Sequence, residues 1–237
     1  MRDPLGKALL HHLSNPQSKE ALLIHSDHFD DFEIPLAYFF RGEKDMPVLE
    51  MQALKLCQGK VLDIGAGAGC HAKWLLNKKM EVMAIDTSAG AIEAMNHQGI
   101  PASKSDFWKF VPPHKFDTLL MLMNGLGIMG NLSNAPVFFT RIKQLLSPGG
   151  QLLVDSSDLK HLYMEGEETV IELSGKYLGE SRFCFEFLNE KSNWFEWIYL
   201  EFDLLEEMAL NNGFFCDKID QLDDGTYLAR IYQSSSK

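Results

Sequence analysis

The sequence predicts an α/β fold built on a largely parallel sheet with helices on both faces. Three observations carry this. Between Lys60 and Asp155 short apolar runs alternate with helical periods, the signature of βαβ units. A glycine-rich turn joins the first of those runs to the helix behind it. The chain has 237 residues, 46% of them apolar and 23% charged, which is enough for one sizeable core with an added cover.

Up to about Gly59 the pattern is helix-like, with Leu9, Leu10 and Leu13 and later Leu49, Leu54 and Leu56 as apolar positions. An acidic-aromatic segment from Asp27 to Phe40 interrupts it. The first βαβ unit runs through Val61-Leu62-Asp63-Ile64, a glycine turn, and a helix with Ala72, Leu75 and Leu76 on one face. Strand Val82–Asp86 follows, and Ser88 caps a helix whose stripe is Ala91, Ile92 and Met95 and whose stop is Gly99 before Pro101. Phe116 to Met123 is apolar almost throughout, as a strand buried on both faces should be. The next helix has Asn134 as cap, Pro136 in its first turn, and Phe138, Ile142, Leu145 and Leu146 inward. Pro148-Gly149-Gly150 ends it, and Gln151–Asp155 is the following strand. Beyond this the period changes to alternation at Thr169–Leu173, Arg182–Phe187 and Trp194–Leu200, which predicts antiparallel strands. A helix at Phe202–Asn211, closed by Gly213, and strands at Phe214–Ile219 and Thr226–Tyr232 complete the chain. Ser234–Lys237 reads as a disordered tail.

Acidic residues outnumber basic ones 33 to 22, for a formal net charge of −11. Such a surface repels a phosphate backbone and disfavours nonspecific binding to nucleic acid or anionic membrane. The four cysteines show no C-x-x-C pair and no histidines at zinc-ligand spacing, so they read as reduced thiols of a cytoplasmic protein. The apolar run Ala8–Leu10 is too short for a signal-peptide core, and no stretch approaches the length of a membrane span. His25 and His28 stand among Asp27, Asp30 and Asp31, but their spacing matches no defined metal site, and no metal is expected. His71 reads equally as a helix-surface residue and as a contact of the glycine loop.

The loop Gly65-Ala66-Gly67-Ala68-Gly69 sits where a ligand can approach the backbone near helix N–H groups. Asp86 ends the next strand, about twenty residues on, where a carboxylate can accept from both hydroxyls of a ribose. Asp63 precedes the first glycine, where it would repel a pyrophosphate and attract a cofactor bearing a sulfonium and an ammonium. The third glycine also falls one position early for G-x-G-x-x-G, with Cys70 in the expected place. Both departures point away from a nicotinamide dinucleotide and toward S-adenosylmethionine.

Val61 to Gly69, Asp86, Ser105-Asp106-Phe107, Phe116-Asp117 and Leu146 to Leu153, in this order and spacing, resemble the motifs of the class I S-adenosylmethionine-dependent methyltransferases. The resemblance covers roughly residues 60–155. It implies a Rossmann-like sheet of seven strands in the order 3-2-1-4-5-7-6, the last one antiparallel. It further implies that Asp63, Gly65, Ala66 and Gly67 line the methionine end, that Asp86 with Thr87 holds the ribose, and that Asp106 accepts from the adenine amine beside Phe107. The alternative reading of Asp106 is a turn or cap residue. On this view residues 60–237 form the methyltransferase domain with an antiparallel insertion at about 158–200, and residues 1–59 form the other half of the cover.

Methyl transfer asks the protein mainly to orient nucleophile, methyl and sulfur. Asn124, in the loop ending the fourth strand, is the candidate for orienting cofactor or acceptor; no Pro-Pro-aromatic follows it, so the motif of DNA-adenine and glutamine-amide enzymes is absent. Tyr38, Phe40 and Trp197 are candidate walls of an acceptor pocket, and Arg41 can grip a carboxylate of cofactor or acceptor. The expected acceptor is a small molecule, with a protein side chain as the alternative, and the expected assembly is a monomer or homodimer. The competing readings are a nicotinamide-dependent oxidoreductase and a catalytically silent cofactor-binding module.

Overall fold

A computed structural model describes residues 2–159, 164–165, 168–169 and 177–233. Helix α1 (Pro4–Ser14) opens the chain, followed by strands β1 (Ala21–Ser26) and β2 (Phe32–Pro35) and helix α2 (Val48–Leu56). The central units are β3 (Lys60–Ile64), α3 (Cys70–Asn77), β4 (Glu81–Asp86), α4 (Ala89–His97), β5 (Ala102–Lys104), β6 (Phe116–Met121), α5 (Ala135–Leu145) and β7 (Leu146–Ser157). After them come the two-residue strands β8 (Met164–Glu165) and β9 (Glu168–Thr169), then β10 (Glu180–Phe187), β11 (Glu190–Lys191), β12 (Phe195–Ile198), α6 (Phe202–Asn211), β13 (Phe215–Gln221) and β14 (Thr226–Tyr232). Of the strand expected at Thr169–Leu173, residues 170–173 lie outside the described residues, as does the tail 234–237.

Seven strands form the main sheet in the order β13-β14-β7-β6-β3-β4-β5. Pairing is parallel from β7 through β5, and β14 runs antiparallel to both β7 and β13. This is the order that the motif resemblance implied. Alternation along each strand sends side chains to opposite faces. Leu62, Ile64, Leu119, Met121, Leu152 and Val154 meet Phe138, Phe139 and Ile142 of α5 and Leu205 and Ala209 of α6. Val61, Leu120 and Leu153 meet Leu49 and Leu54 of α2, Ala72 and Leu75 of α3, and Met95 of α4. Ser88 caps α4 as expected, its hydroxyl accepting from Ala91 N at 2.9 Å. Asn134 stands at the start of α5 but bonds outward, donating through Nδ2 to Met129 O at 2.8 Å.

The N-terminal segment departs from its helix-like reading at Ala21–Ser26, which is a strand, and the acidic-aromatic segment after it holds a second strand, Phe32–Pro35. They join the later antiparallel strands in one second sheet, ordered β11-β10-β1-β2, with β12 also paired to β10. Ile24 opposes Phe185, and Ser26 opposes Phe183, so apolar side chains from both ends of the chain share one face. Strands from the N-terminal segment and from the later insertion are therefore hydrogen-bonded in a single sheet. Helix α1 fastens it to the main domain. Asp3 Oδ1 accepts from Gly6 N, while Oδ2 accepts from Ser88 Oγ at 2.9 Å and Gly90 N at 3.0 Å. A Cβ on Gly90 would lie 2.5 Å from Gly6 Cα, so α1 and α4 touch backbone to backbone.

Candidate active site

The glycine loop takes its shape from the neighbouring strand. The N–H groups of Gly65 and Ala66 both donate to Ile85 O, at 2.9 and 3.2 Å. Gly67, at φ 55°, donates to Asp86 Oδ2 at 2.9 Å, and a Cβ there would meet nothing within 4 Å. The loop is thus open to a ligand on its outer side. Asp86 is 8% exposed and also accepts from Ser88 N at 2.8 Å, so it ties the loop to the start of α4. Burial raises its pKa, against the backbone donors that lower it. Thr87 beside it is exposed.

Behind the loop lies a buried polar cluster. Asp63 accepts from Ala72 N, and its Oδ2 has no partner. Burial, with help from Asp86 and Glu50, pushes its pKa up to about 6 against the pull of His71. Arg41 is buried rather than in solvent: Nη1 donates to Tyr38 O at 2.8 Å, Nη2 pairs with Glu50, and the guanidinium lies 4.1 Å from the centre of the Tyr38 ring. His71 is likewise buried, its Nε2 2.7 Å from Glu50 Oε2 and 3.3 Å from Arg41 Nη2. Burial opposes the charge on His71, but Cys70, Glu50 and Asp63 lift its pKa well above the ordinary value. Glu50 is held below the usual range because His71 and Arg41 outweigh its burial. Arg41 Nε has no partner.

The third part of the site is the end of β6. Met123 and Asn124 both take left-handed backbone, at φ 65° and 55°, which is strained for residues with a Cβ. Asp155, at the end of the neighbouring β7, accepts from Met123 N at 3.0 Å and Gly125 N at 2.9 Å. Asn124 donates through Nδ2 to Ile198 O of the cover at 3.4 Å, while its Oδ1 is buried and unpartnered. The cover also docks here through Trp197, whose indole packs against Gly127, and through Glu196, which accepts from Asn131 Nδ2 at 2.8 Å.

The other expected residues are placed as follows. Asp106 Oδ1 accepts from Trp108 N at 3.0 Å, the bond of a turn residue. Phe107 is 4% exposed and packs on Phe138 in the main core, while Trp108 beside it is half-buried. Tyr38 is 36% exposed, and Phe40 stacks on His12 with ring centres 4.9 Å apart. Among the described residues no group of three or more His, Cys, Asp or Glu is placed to hold a metal ion. No helix there is long and apolar enough to cross a membrane.

The methyltransferase-domain family matches residues 61–150 of the chain. Over nearly the whole length, the chain is similar to a SAM-dependent methyltransferase from Bacteroides fragilis solved with S-adenosyl-L-homocysteine. Identity is 38% and the TM-score 0.91, with 98% of this chain and 95% of that one covered. The chain belongs to the class I S-adenosylmethionine-dependent methyltransferases. Two more distant structures share the fold alone. A methyltransferase from Streptomyces caelestis is 15% identical, with TM-score 0.61 over 79% of this chain and 90% of that one. A sugar N-methyltransferase from Streptoalloteichus is 13% identical, with TM-score 0.59 over 87% and 96%. No curated protein sequence matches.

The cofactor of this methyltransferase is S-adenosylmethionine, in place of the nicotinamide dinucleotide of the competing reading. Its α-ammonium needs buried acceptors, and its α-carboxylate needs a donor. Asp63 Oδ2 and Asn124 Oδ1 are two unpartnered buried acceptors, and Arg41 Nε is an unpartnered buried donor. The donor set therefore fits the methionine end of the cofactor. Sequence reasoning passed over Glu50, Asp155 and Asp3 in the methyltransferase and gave His71 no special weight. A lone carboxylate inside an apolar helix or strand was the available signal for the first two.

Proposed function

We propose that this methyltransferase modifies a small molecule held between the carboxyl ends of the main strands and the second sheet. The observation that carries the proposal is that Asp63 Oδ2, Asn124 Oδ1 and Arg41 Nε are among the buried side-chain polar atoms that have no hydrogen-bond partner. In this reading Asp63, Gly65, Ala66, Gly67 and Asn124 receive the ammonium end and Arg41 the carboxylate. Asp86 and Thr87 take the ribose, and Asp106 with the Phe107 turn takes the adenine. The bound cofactor supplies a methyl group activated on a sulfonium. The chain's own work is to aim that carbon, exclude water and hold the acceptor in line.

The cover favours a small acceptor. Trp197 on Gly127, Glu196 on Asn131, and Glu180 Oε1 accepting from Leu132 N at 2.9 Å close the second sheet over the loops after β6. Tyr38, Phe40 and Trp197 give the acceptor apolar walls. The net charge of −11 works against a nucleic-acid substrate. The protein acts in the cytoplasm as a monomer or homodimer.

Two experiments test this reading. Thermal-shift titration with S-adenosylhomocysteine should raise the midpoint of the wild type by about 5–10 °C near a hundredfold excess over Kd, and Asp86→Ala should abolish the shift. Methyl-labelled cofactor incubated with cell extract should then put label into the low-mass fraction. Label confined to protein or nucleic acid would overturn the small-molecule proposal.

A further inference from the structure

We infer that Asp155 is a positioning residue for the cofactor's amino-acid end, acting through the left-handed pair Met123-Asn124. This rests on the reading above that Asn124 Oδ1 faces the cofactor ammonium. Strand β6 ends at Met121, and its neighbour β7 runs parallel with Met121 opposite Val154. Asp155 is therefore the next residue on β7, level with the point where the β6 chain leaves the sheet. Two consecutive residues with side chains are then held at φ 65° and 55°, where isolated chains rarely rest. The carboxylate offers one oxygen to the N–H before this pair's central peptide and the other to the N–H after it, at 3.0 Å from Met123 and 2.9 Å from Gly125. A carboxylate suits this role because both oxygens accept; an amide of the same shape would turn an NH2 group toward one of the two donors.

The clamp governs where the Asn124 side chain points. Its Nδ2 reaches Ile198 O on the cover, which leaves Oδ1 buried without a partner. If the pair relaxed to right-handed backbone, Oδ1 would leave that position and the ammonium would lose an acceptor. Asp155 is buried, at 6% exposed. It influences the cofactor through the loop, so its loss should be felt at one end of the ligand only.

The test compares two probes by calorimetric titration: S-adenosylhomocysteine, which has the amino-acid end, and 5′-methylthioadenosine, which lacks it. Asp155→Asn and Asn124→Ala should each weaken S-adenosylhomocysteine about tenfold or more and change 5′-methylthioadenosine less than twofold. The double variant should bind S-adenosylhomocysteine about as well as Asn124→Ala alone, because both changes remove the same contact. If Asp155→Asn does not fold, Asp155→Glu keeps the charge but displaces the oxygens, and the same selective loss is expected. Equal weakening of both probes, or no weakening of either, by the Asp155 variants overturns the inference while the role of Asn124 stands. A silent Asn124→Ala overturns the reading of Asn124 and the inference with it.

Discussion

The indole of Trp197 lies on the α-carbon of Gly127, so that a Cβ there would overlap Cε2 and Nε1 of the ring. Gly127 belongs to the loop after β6, and Trp197 to the cover strand β12. The absence of a side chain at Gly127 lets β12 of the second sheet approach the loop after β6 this closely. Gly127→Ala should therefore lift Trp197 off the loop. Overpacking of this kind costs about 1–3 kcal/mol, which for a chain of this size lowers the thermal midpoint by about 3–10 °C. Tryptophan emission should shift to the red, and adding Trp197→Ala should cost less than the sum of the two single changes.

Asp63 should trade stability for binding. Burial lifts its pKa from 3.8 to about 6, so the folded protein disfavours the anion. This cost is absent below about pH 4, grows between 4 and 6, and is complete above 6. Asp63→Asn removes it, and the ligand-free variant should be roughly 1–3 kcal/mol more stable at pH 7.5 and no more stable near pH 4. Urea unfolding at the two pH values checks the sign. The same variant should bind S-adenosylhomocysteine at least tenfold more weakly.

The pH dependence of cofactor binding follows from the same group. An ammonium favours the carboxylate form, so wild-type affinity for S-adenosylhomocysteine should be flat above pH 7. Below about pH 6 it should fall by about a factor of ten per pH unit. In Asp63→Asn this dependence should flatten. Calorimetry from pH 5 to 8 decides, and an unchanged slope would remove Asp63 from the ammonium site.

Arg41 and Glu50 form a buried pair with His71 against it. Removing one partner of such a pair strands the other, typically at a cost of about 3–5 kcal/mol. Arg41→Ala should lower stability by an amount at the lower end of that range, since His71 still serves Glu50. It should weaken cofactor or acceptor binding at least tenfold. Unchanged affinity for both would confine Arg41 to a structural role.

Helix α1 should detach when its contact with α4 is filled. Gly90→Ala places a methyl group against the backbone of Gly6, and brief trypsin treatment should then cut at Lys19 faster than in the wild type. Asp3→Ala should act in the same direction by removing the acceptor for Ser88 and Gly90.

The main sheet was legible because its information is local. Val61–Ile64 and Val82–Asp86 are apolar runs closed by a glycine or a carboxylate, Phe116 to Met123 is apolar almost throughout, and the order of the motifs implied the order of the strands. The strands β1 and β2 were not legible. Leu22 and Ile24 alternate over too short a span, and their partner β10 lies far along the chain. The site divides in the same way. Asp63, Asp86 and the glycines announce themselves by position beside the loop. Glu50, His71 and Asp155 instead bond to groups brought in by other elements, and Phe107 packs on Phe138 in the core.

The join between β1 and β10 sets a timetable for biosynthesis. His25 bonds to Glu186, 161 residues later. At about 5–20 residues per second of synthesis, the first cover strand waits roughly 8–30 s for its partner to leave the ribosome. During that interval the Rossmann-like units can close on themselves, while Leu22 and Ile24 present an unpaired apolar edge. The β1 edge is thus exposed to aggregation until β10 has emerged, and the second sheet is complete only once β12 has been made.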